Sequence, residues 1–343
     1  MPKPRAYHIR PVLAGQSLAQ ALRHLLRDRT WTDIKKLISG RRVQINGNLC
    51  VDEGRRLKAG DVVHVHAESL ARPPQGEDLK ILYADADLLV CDKPAGVTTL
   101  RHAEERDWPD RRKQKQPTLD ELLSQRLGSL PAGATRVRNG SALPIIRRGR
   151  QAARVRAVHR LDRDTSGLMI FALSPESEQV LVAAFKDHSI QRVYQAVVHG
   201  NPGERTIDTH FIRDRGDGLR GSTPRGGDDP EARRAVTHVR TIERIGPYSL
   251  VECRLETGRT HQIRIHLSEI GHMLCGERTY VRPAAGAAPV IDRSGAPRQA
   301  LHSAELHFVH PLTGKNLSFA APPPPDLSRW LAGLRRTVVP GQA

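Results

Sequence analysis

The sequence predicts an α+β protein in two parts: a small N-terminal α+β domain, then a larger domain built on a mixed or antiparallel sheet. Three observations carry this. Residues 17–66 hold two helical stripes followed by a hairpin pattern. A polar stretch with Pro-Pro and Gly then interrupts the chain. From residue 79 onward, apolar strand-like runs follow one another with few helices between them. A length of 343 residues suits one small core and one large one.

Residues 1–16 read as a tail. Ser17 is placed to cap a helix in which Leu18, Ala21, Leu22 and Leu25 recur at i, i+3, i+4 and i+7. A second helix begins near Thr32 or Asp33, carries Ile34, Leu37 and Ile38, and ends at Gly40. Val43-Gln44-Ile45 is a short strand closed by the turn pair Asn46-Gly47, and Gly60-Asp61 turns into a last strand through Val62, Val63 and Val65. Residues 67–78 are the linker. The large domain spans 79–325. Its strands are expected around Ile81–Tyr83, Leu88–Cys91, Leu168–Ala172, Gln191–Val198 and Tyr248–Leu255, with a terminal hairpin of Glu305–Val309 and Leu317–Ala320. Helices are expected after Thr118, where Glu121 completes a capping box, after Ser174-Pro175, and over Thr260–Ile270. Residues 101–117 and 128–157 are polar, basic insertions, 213–234 and 282–299 are loops, and 326–343 are a C-terminal tail.

The net charge of +17 points to a polyanionic partner, because Lys and Arg gain by displacing counterions from phosphates. Nucleic acid fits this better than a membrane surface, since no basic amphipathic helix stands out. No run of about twenty apolar residues occurs, so no membrane span is expected. The N-terminal stretch lacks the apolar run of a signal peptide. The four cysteines lie far apart without a C-x-x-C pair, which argues against a disulfide framework or a zinc ribbon. Together these suggest a cytoplasmic protein, and the lack of a spare apolar stripe suggests a monomer.

The densest chemical signal is His159-Arg160-Leu161-Asp162-Arg163-Asp164-Thr165-Ser166-Gly167, a loop before an apolar strand. Its small and hydroxylated residues suit a tight backbone bonded to its own side chains. A carboxylate among arginines should stay ionised, which suits a nucleophile or a base. A structural ion-pair loop has the same composition. A metal reading of His159, His261, His266 and Asp162 lacks a supporting spacing, since His261 and His266 stand five apart rather than at the four of a helical zinc pair.

H-R-L-D-x-x-T-S-G resembles the catalytic loop of the RluA-type pseudouridine synthases. Asp92-Lys93-Pro94-Ala95-Gly96 is similar to that family's opening motif. Tyr194 within R-V-Y-Q-A-V-V matches its active-site Tyr, and Gly258–His266 (G-R-T-H-Q-I-R-I-H) looks like its third motif. The resemblance implies that Asp162 is the catalytic residue and that Arg160 enters the RNA where the target base leaves. It implies that Tyr194 stacks on the base, that Arg264 pairs with Asp162, and that Ile263 packs near Tyr194. His159 is expected at the RNA and Thr165 in support of the loop, with Asp164 structural and Lys93 a loop charge. No metal or cofactor is implied. The resemblance covers roughly residues 79–325, and G-H-M-L-C-G-E-R-T-Y at 271–280 departs from the family's usual Pro-Leu-x-Gly-Asp form. The two helices and R-R-V-Q-I-N-G of residues 17–66 resemble the S-four-type RNA-binding module, which would present Lys35, Lys36, Arg41 and Arg42 to RNA. The implied activity is isomerisation of uridine to pseudouridine, with large-subunit (23S-type) ribosomal RNA as the expected partner. Transfer RNA and a non-catalytic assembly role are the alternatives.

Overall fold

The chain divides into two units, one of Met1–Pro73 with His102–Pro117 and one of Pro74–Arg101 with Thr118–Ala343. The computed structural model describes residues 5–45, 48–70, 79–101, 105–129, 154–223 and 230–337. The expected turn at Asn46-Gly47, most of the linker and most of the basic stretch 128–157 lie outside the described residues.

In the first unit, two capping boxes start the helices. Ser17 Oγ accepts the Gln20 N–H ahead of α1 (Leu18–Leu25), and Thr30 Oγ1 accepts the Asp33 N–H ahead of α2 (Trp31–Ser39). The second helix therefore starts a little before the expected Thr32–Asp33. Its left-handed residue falls on Arg41, at φ +60°, and not on Gly40. The sheet is antiparallel in the order β1-β4-β2-β3, with β1 at Arg5–His8, β2 at Val43–Ile45, β3 at Asn48–Leu49 and β4 at Val62–Val65. Leu18, Leu22, Ile34, Ile38, Val43 and Val63 share its core. Part of the presumed N-terminal tail belongs here, because β1 pairs along β4 and Ile9 and Leu13 are buried. A helix within the first presumed insertion, α3 (Asp110–Lys115), belongs to the same unit, where Gln116 Nε2 donates to Leu49 O at 3.3 Å.

The second unit is built on one mixed sheet. Its strands are β5 (Lys80–Ala84), β6 (Leu88–Lys93), β7 (Arg156–Ala157), β8 (Ser166–Ala172), β9 (Gln191–His199), β10 (Glu204–Ile212), β11 (Gly221–Thr223), β12 (Arg233–Ile245), β13 (Tyr248–Leu255), β14 (Leu301–Val309) and β15 (Asn316–Ala320). The order is β11-β10-β12-β13-β9-β14-β8-β6-β5, with β15 on β14 and β7 on β8. The pairs are antiparallel except β14 with β8. The helices are α4 (Leu119–Ser129), α5 (Pro175–Lys186), α6 (Gln262–Glu269) and α7 (Pro325–Thr337).

Strand β8 is buried along its whole length, as its unbroken apolar run predicts for a central strand covered on both faces. Met169 and Phe171 join one core with Leu119, Leu123 and Leu127 of α4. Leu168, Ile170 and Ala172 join another with Leu181 of α5. Strands β10 and β12 and helix α7 depart from the sequence expectation. Strand β10 buries only Ile207 and Phe211 among polar and charged residues, so its apolar signal is weak. Residues 326–337 form a helix where a tail was expected, because Leu327 and Leu331, buried, share one stripe with Trp330 and Leu334.

The parallel pairing of β14 with β8 sets His302 beside Ser166 and Ser303 beside Gly167, at the end of the H-R-L-D loop. Gly167 has φ +114°, and a Cβ there would stand 2.2 Å from Ser303 O. Gly96 is also left-handed, at φ +87°, but faces open space. Gly167→Ala should therefore destabilise the protein by about 3 kcal/mol or more, and Gly96→Ala by only about 1–2 kcal/mol. Denaturant unfolding of both variants checks this, and equal losses would contradict it.

Candidate active site

The loop that carries Asp162 is held from beneath. Lys93 ends β6 with its side chain fully buried, and its ammonium donates to the carbonyls of Pro94 (3.0 Å), Arg163 (2.9 Å) and Thr165 (2.7 Å). It is a structural pin and not the loop charge expected from sequence. Burial pulls its pKa down to about 7, against the opposing pull of Asp164. Arg298 donates to Asp164 O (2.9 Å) and Ser166 Oγ (3.0 Å) while pairing with Asp326 of α7 at 2.7 Å. Gln299 donates to Thr165 Oγ1 at 2.7 Å, and Thr165 N–H closes the turn onto Asp162 O at 3.1 Å. Thr99 Oγ1 donates to Leu161 O at 2.9 Å. Thr165 is thus held by both its backbone and its hydroxyl, Asp164 by its backbone carbonyl, and the 282–299 loop contributes two anchors of its own.

The Asp162 carboxylate meets two groups from the third motif. Arg264 Nη1 donates to Oδ2 at 3.2 Å, and His261 Nε2 lies 3.6 Å from Oδ1. The other edge of the Arg264 guanidinium is bidentate on Glu277, with Nε to Oε2 at 2.8 Å and Nη2 to Oε1 at 2.7 Å. Glu277 was not singled out from sequence. Its side chain is 1% exposed, and Oε1 also accepts the N–H groups of Arg278, Thr279 and Tyr280. Burial alone would raise its pKa, but Arg264 and these amides override that and hold it at about 2. The Arg264 guanidinium also lies 5.2 Å from the centre of the Tyr280 ring, whose hydroxyl is 2.7 Å from His261 Nδ1. His261 sits at φ +60°, a left-handed conformation that the surrounding contacts must hold in place. A signal for Glu277 was available in principle: an Arg264 bordering the apolar face of its helix needs an acidic partner, and G-E-R-T-Y holds an acid.

Tyr194 on β9 is 5% exposed and shares a core with Leu161, Ile263 and Leu267. Burial raises the pKa of its phenol, Arg192 opposes that, and the negative charge of Asp162 adds to it. The structure thus gathers Asp162, Tyr194, Ile263 and Arg264. The Asp162 and His261 side chains are 17% and 30% exposed, whereas Arg264 and Tyr194 are buried, so the Asp162 carboxylate lies on the solvent side of the group. Arg160 is exposed beside it in sequence.

His159 has a different place from the RNA contact expected of it. Its Nε2 accepts the Ile170 N–H at 2.9 Å and its ring stacks on Phe185, so it anchors the loop to β8. Burial lowers its pKa to about 3, which leaves it neutral and fit to accept that bond. His266 is likewise engaged, with Nδ1 on Thr237 Oγ1 and Nε2 on Thr209 Oγ1. His159 and His266 are therefore engaged elsewhere, and of the three histidines it is His261 that approaches Asp162. In the other unit, Lys35 and Lys36 are exposed on α2, Arg41 and Arg42 are half-buried ahead of β2, and Lys35 lies 3.7 Å from Glu53.

The clamp has a pH signature. The folded pKa of Glu277, about 2, lies below the ordinary 4.5, so its stabilisation is complete above pH 4.5 and drains away as pH falls toward 2. Glu277→Gln should cost about 3 kcal/mol at neutral pH. The gap between wild type and variant in urea unfolding should narrow below pH 4.5, and a gap that stays constant to pH 2 would count against the clamp.

Residues 87–269 match the family model described as RNA pseudouridylate synthase. The chain is 36% identical to ribosomal large subunit pseudouridine synthase D of Zymomonas mobilis subsp. mobilis, over 92% of each protein. It is 32% identical to the protein of the same name from Neisseria meningitidis serogroup A, over 94% of this chain and 80% of that one. In fold it is similar to human RNA pseudouridylate synthase domain containing 4, with a TM-score of 0.55, 19% identity, and coverage of 75% of this chain and 93% of the other. A family model matched over more than half the sequence, and a relative aligned over nearly all of both proteins, establish that the chain belongs to the RNA pseudouridylate synthase family.

Proposed function

We propose that this enzyme isomerises uridines of large-subunit ribosomal RNA to pseudouridine, with Asp162 as the group that engages the nucleotide. The observation that carries the reading is the Asp162 carboxylate, open to solvent on one side and bonded to the buried Arg264 on the other. The printed names of the bacterial relatives support the choice of RNA. The net charge of +17 suits a phosphate-rich partner.

The reaction breaks the bond between ribose C1′ and base N1, turns the base, and joins C1′ to C5. C5 loses its proton and N1 gains one, so the product is an isomer and no redox change occurs. A stacked base cannot turn this way and must first be flipped out, at a cost of a few kcal/mol. Arg160, long, planar and exposed, fills the gap and pairs with phosphate. Asp162 then acts as nucleophile or base on the nucleotide, oriented by the charge-assisted bond from Arg264. Tyr194, with Ile263 packed in the same core, provides a face for the turning base, and its hydroxyl takes part in moving the C5 proton. Lys35, Lys36, Arg41 and Arg42 hold flanking RNA. The enzyme works as a cytoplasmic monomer free of the membrane; among the described residues no helix is long and apolar enough to cross one.

The test is a pseudouridine map of ribosomal and transfer RNA in a deletion strain, read as carbodiimide-dependent reverse-transcription stops. Stops in large-subunit RNA should vanish, return with the wild-type gene, and stay absent with Asp162→Asn, although that variant folds and binds RNA. Tyr194→Phe should slow turnover by about 10²–10⁴-fold. Alanine at Lys35, Lys36 and Arg42 should weaken RNA binding at every sequence and flatten its salt dependence by about one unit per contact. Stops lost only from transfer RNA would move the target. Full activity of Asp162→Asn would sink the mechanism.

A further inference from the structure

The loop 282–299 does more than anchor the catalytic loop. It carries Asp292 to the end of β9, against His199 and Cys275. His199 Nε2 and Asp292 Oδ1 are 3.0 Å apart, and one ring nitrogen of His199, Cys275 Sγ and one carboxylate oxygen of Asp292 all lie within 4.8 Å of one another. Cys275 is buried, while the His199 and Asp292 side chains are 19% and 20% exposed, so the cluster has a closed floor and an entrance. Backbone bonds tie the carriers together: Cys275 N–H to Val197 O (2.8 Å), His199 N–H to Met273 O (2.9 Å) and Ala300 N–H to Cys275 O (2.8 Å). The carboxylate is already aimed, with Oδ1 accepting the Ser294 N–H at 3.0 Å and Oδ2 the Gly276 N–H at 2.8 Å.

A second trio, Asp85, Asp87 and His310, is equally close but chemically different. His310 Nδ1 accepts N–H groups from Leu312 and Thr313, so its one proton must sit on Nε2, which gives it to Asp85 at 2.7 Å. No lone pair remains there for an ion. His199 is not committed in this way. Among the described residues its Nδ1 has no hydrogen-bond partner, so the proton can move to Nδ1 and free the lone pair of Nε2.

We propose that His199, Cys275 and Asp292 form a zinc site. Imidazole, thiolate and carboxylate are zinc's own ligand types, and three protein ligands with one water complete a tetrahedron. Bonds of about 2.0 Å to nitrogen and oxygen place those two atoms about 3.3 Å apart, close to the spacing already present. The sulfur sits about 3.6 Å from each in such a tetrahedron, within the 4.8 Å that already contains the three ligand atoms. On binding, the thiol proton passes to solvent. The role is structural: Cys275 stands two residues before Glu277, and Asp292 already holds the Gly276 N–H. An ion here ties the loop that supplies Arg298 and Gln299 to the turn that supplies Glu277.

The full chain, purified in chelator and dialysed, is titrated with Co²⁺ as a spectroscopic probe and then with Zn²⁺. One equivalent of Co²⁺ should give tetrahedral ligand-field bands with a thiolate-to-cobalt charge-transfer band, and one equivalent of Zn²⁺ should displace them and raise the thermal midpoint. Cys275→Ser should abolish the charge-transfer band. His199→Gln and Asp292→Asn, which keep the thiol, should weaken binding roughly tenfold or more. Cys50→Ser should change nothing. Absence of the band in wild type, or its survival in Cys275→Ser, overturns the proposal. If Cys275→Ser does not fold, an unchanged affinity in His199→Gln overturns it instead.

Discussion

One guanidinium divides its N–H groups between two carboxylates, and the site is arranged around that division. Arg264 gives its bidentate edge to Glu277 and a single N–H to Asp162. A buried ion pair must recover a desolvation penalty of several kcal/mol per ion, so it persists only where further bonds satisfy both partners. Here three backbone amides complete Glu277, and the Tyr280 ring lies beside Arg264. Because Glu277 balances the charge of Arg264, Asp162 is not consumed as a structural counterion and keeps an accessible face for the nucleotide. The turn that delivers Glu277 depends on Gly276, at φ +77°, where a Cβ would stand 2.0 Å from Arg298 O.

The second constraint acts on the backbone beneath Asp162. Lys93, Arg298, Gln299 and Thr99 hold the loop through its carbonyls and hydroxyls, and Gly167 lets its end pass close against β14. A reacting group must be held within about 0.5 Å of its productive position. Anchors from three separate segments meet that demand better than a free loop. The same anchors link the site to α7, since Arg298 also pairs with Asp326.

Much of this was legible in the sequence, for identifiable reasons. The first helices could be read because Ser17, Leu18, Leu22, Ile34 and Ile38 obey cap and stripe rules that act locally. Asp162, Tyr194 and Arg264 could be read from their motifs, and the structure brings them to one place. Lys93 could not, because a lysine in D-K-P-A-G looks solvated until two carbonyls of the distant Asp162 loop close over it. Glu277 and the accepting nitrogen of His159 depend likewise on partners far away in sequence or across a strand. Helix α7 was hidden by the prolines before it. Strands β10 and β12 were hidden by charges on their open faces.

Glu277 is expected to act on catalysis through Arg264. A double-mutant cycle measures this directly: single-turnover rates on a ribosomal RNA fragment for wild type, Glu277→Gln, Arg264→Gln and the pair, each checked for folding by circular dichroism. Strong non-additivity is expected, the double variant being scarcely slower than Arg264→Gln alone, because removing Arg264 leaves Glu277 nothing to orient. Additive losses, or a Glu277→Gln enzyme with full activity, would contradict it.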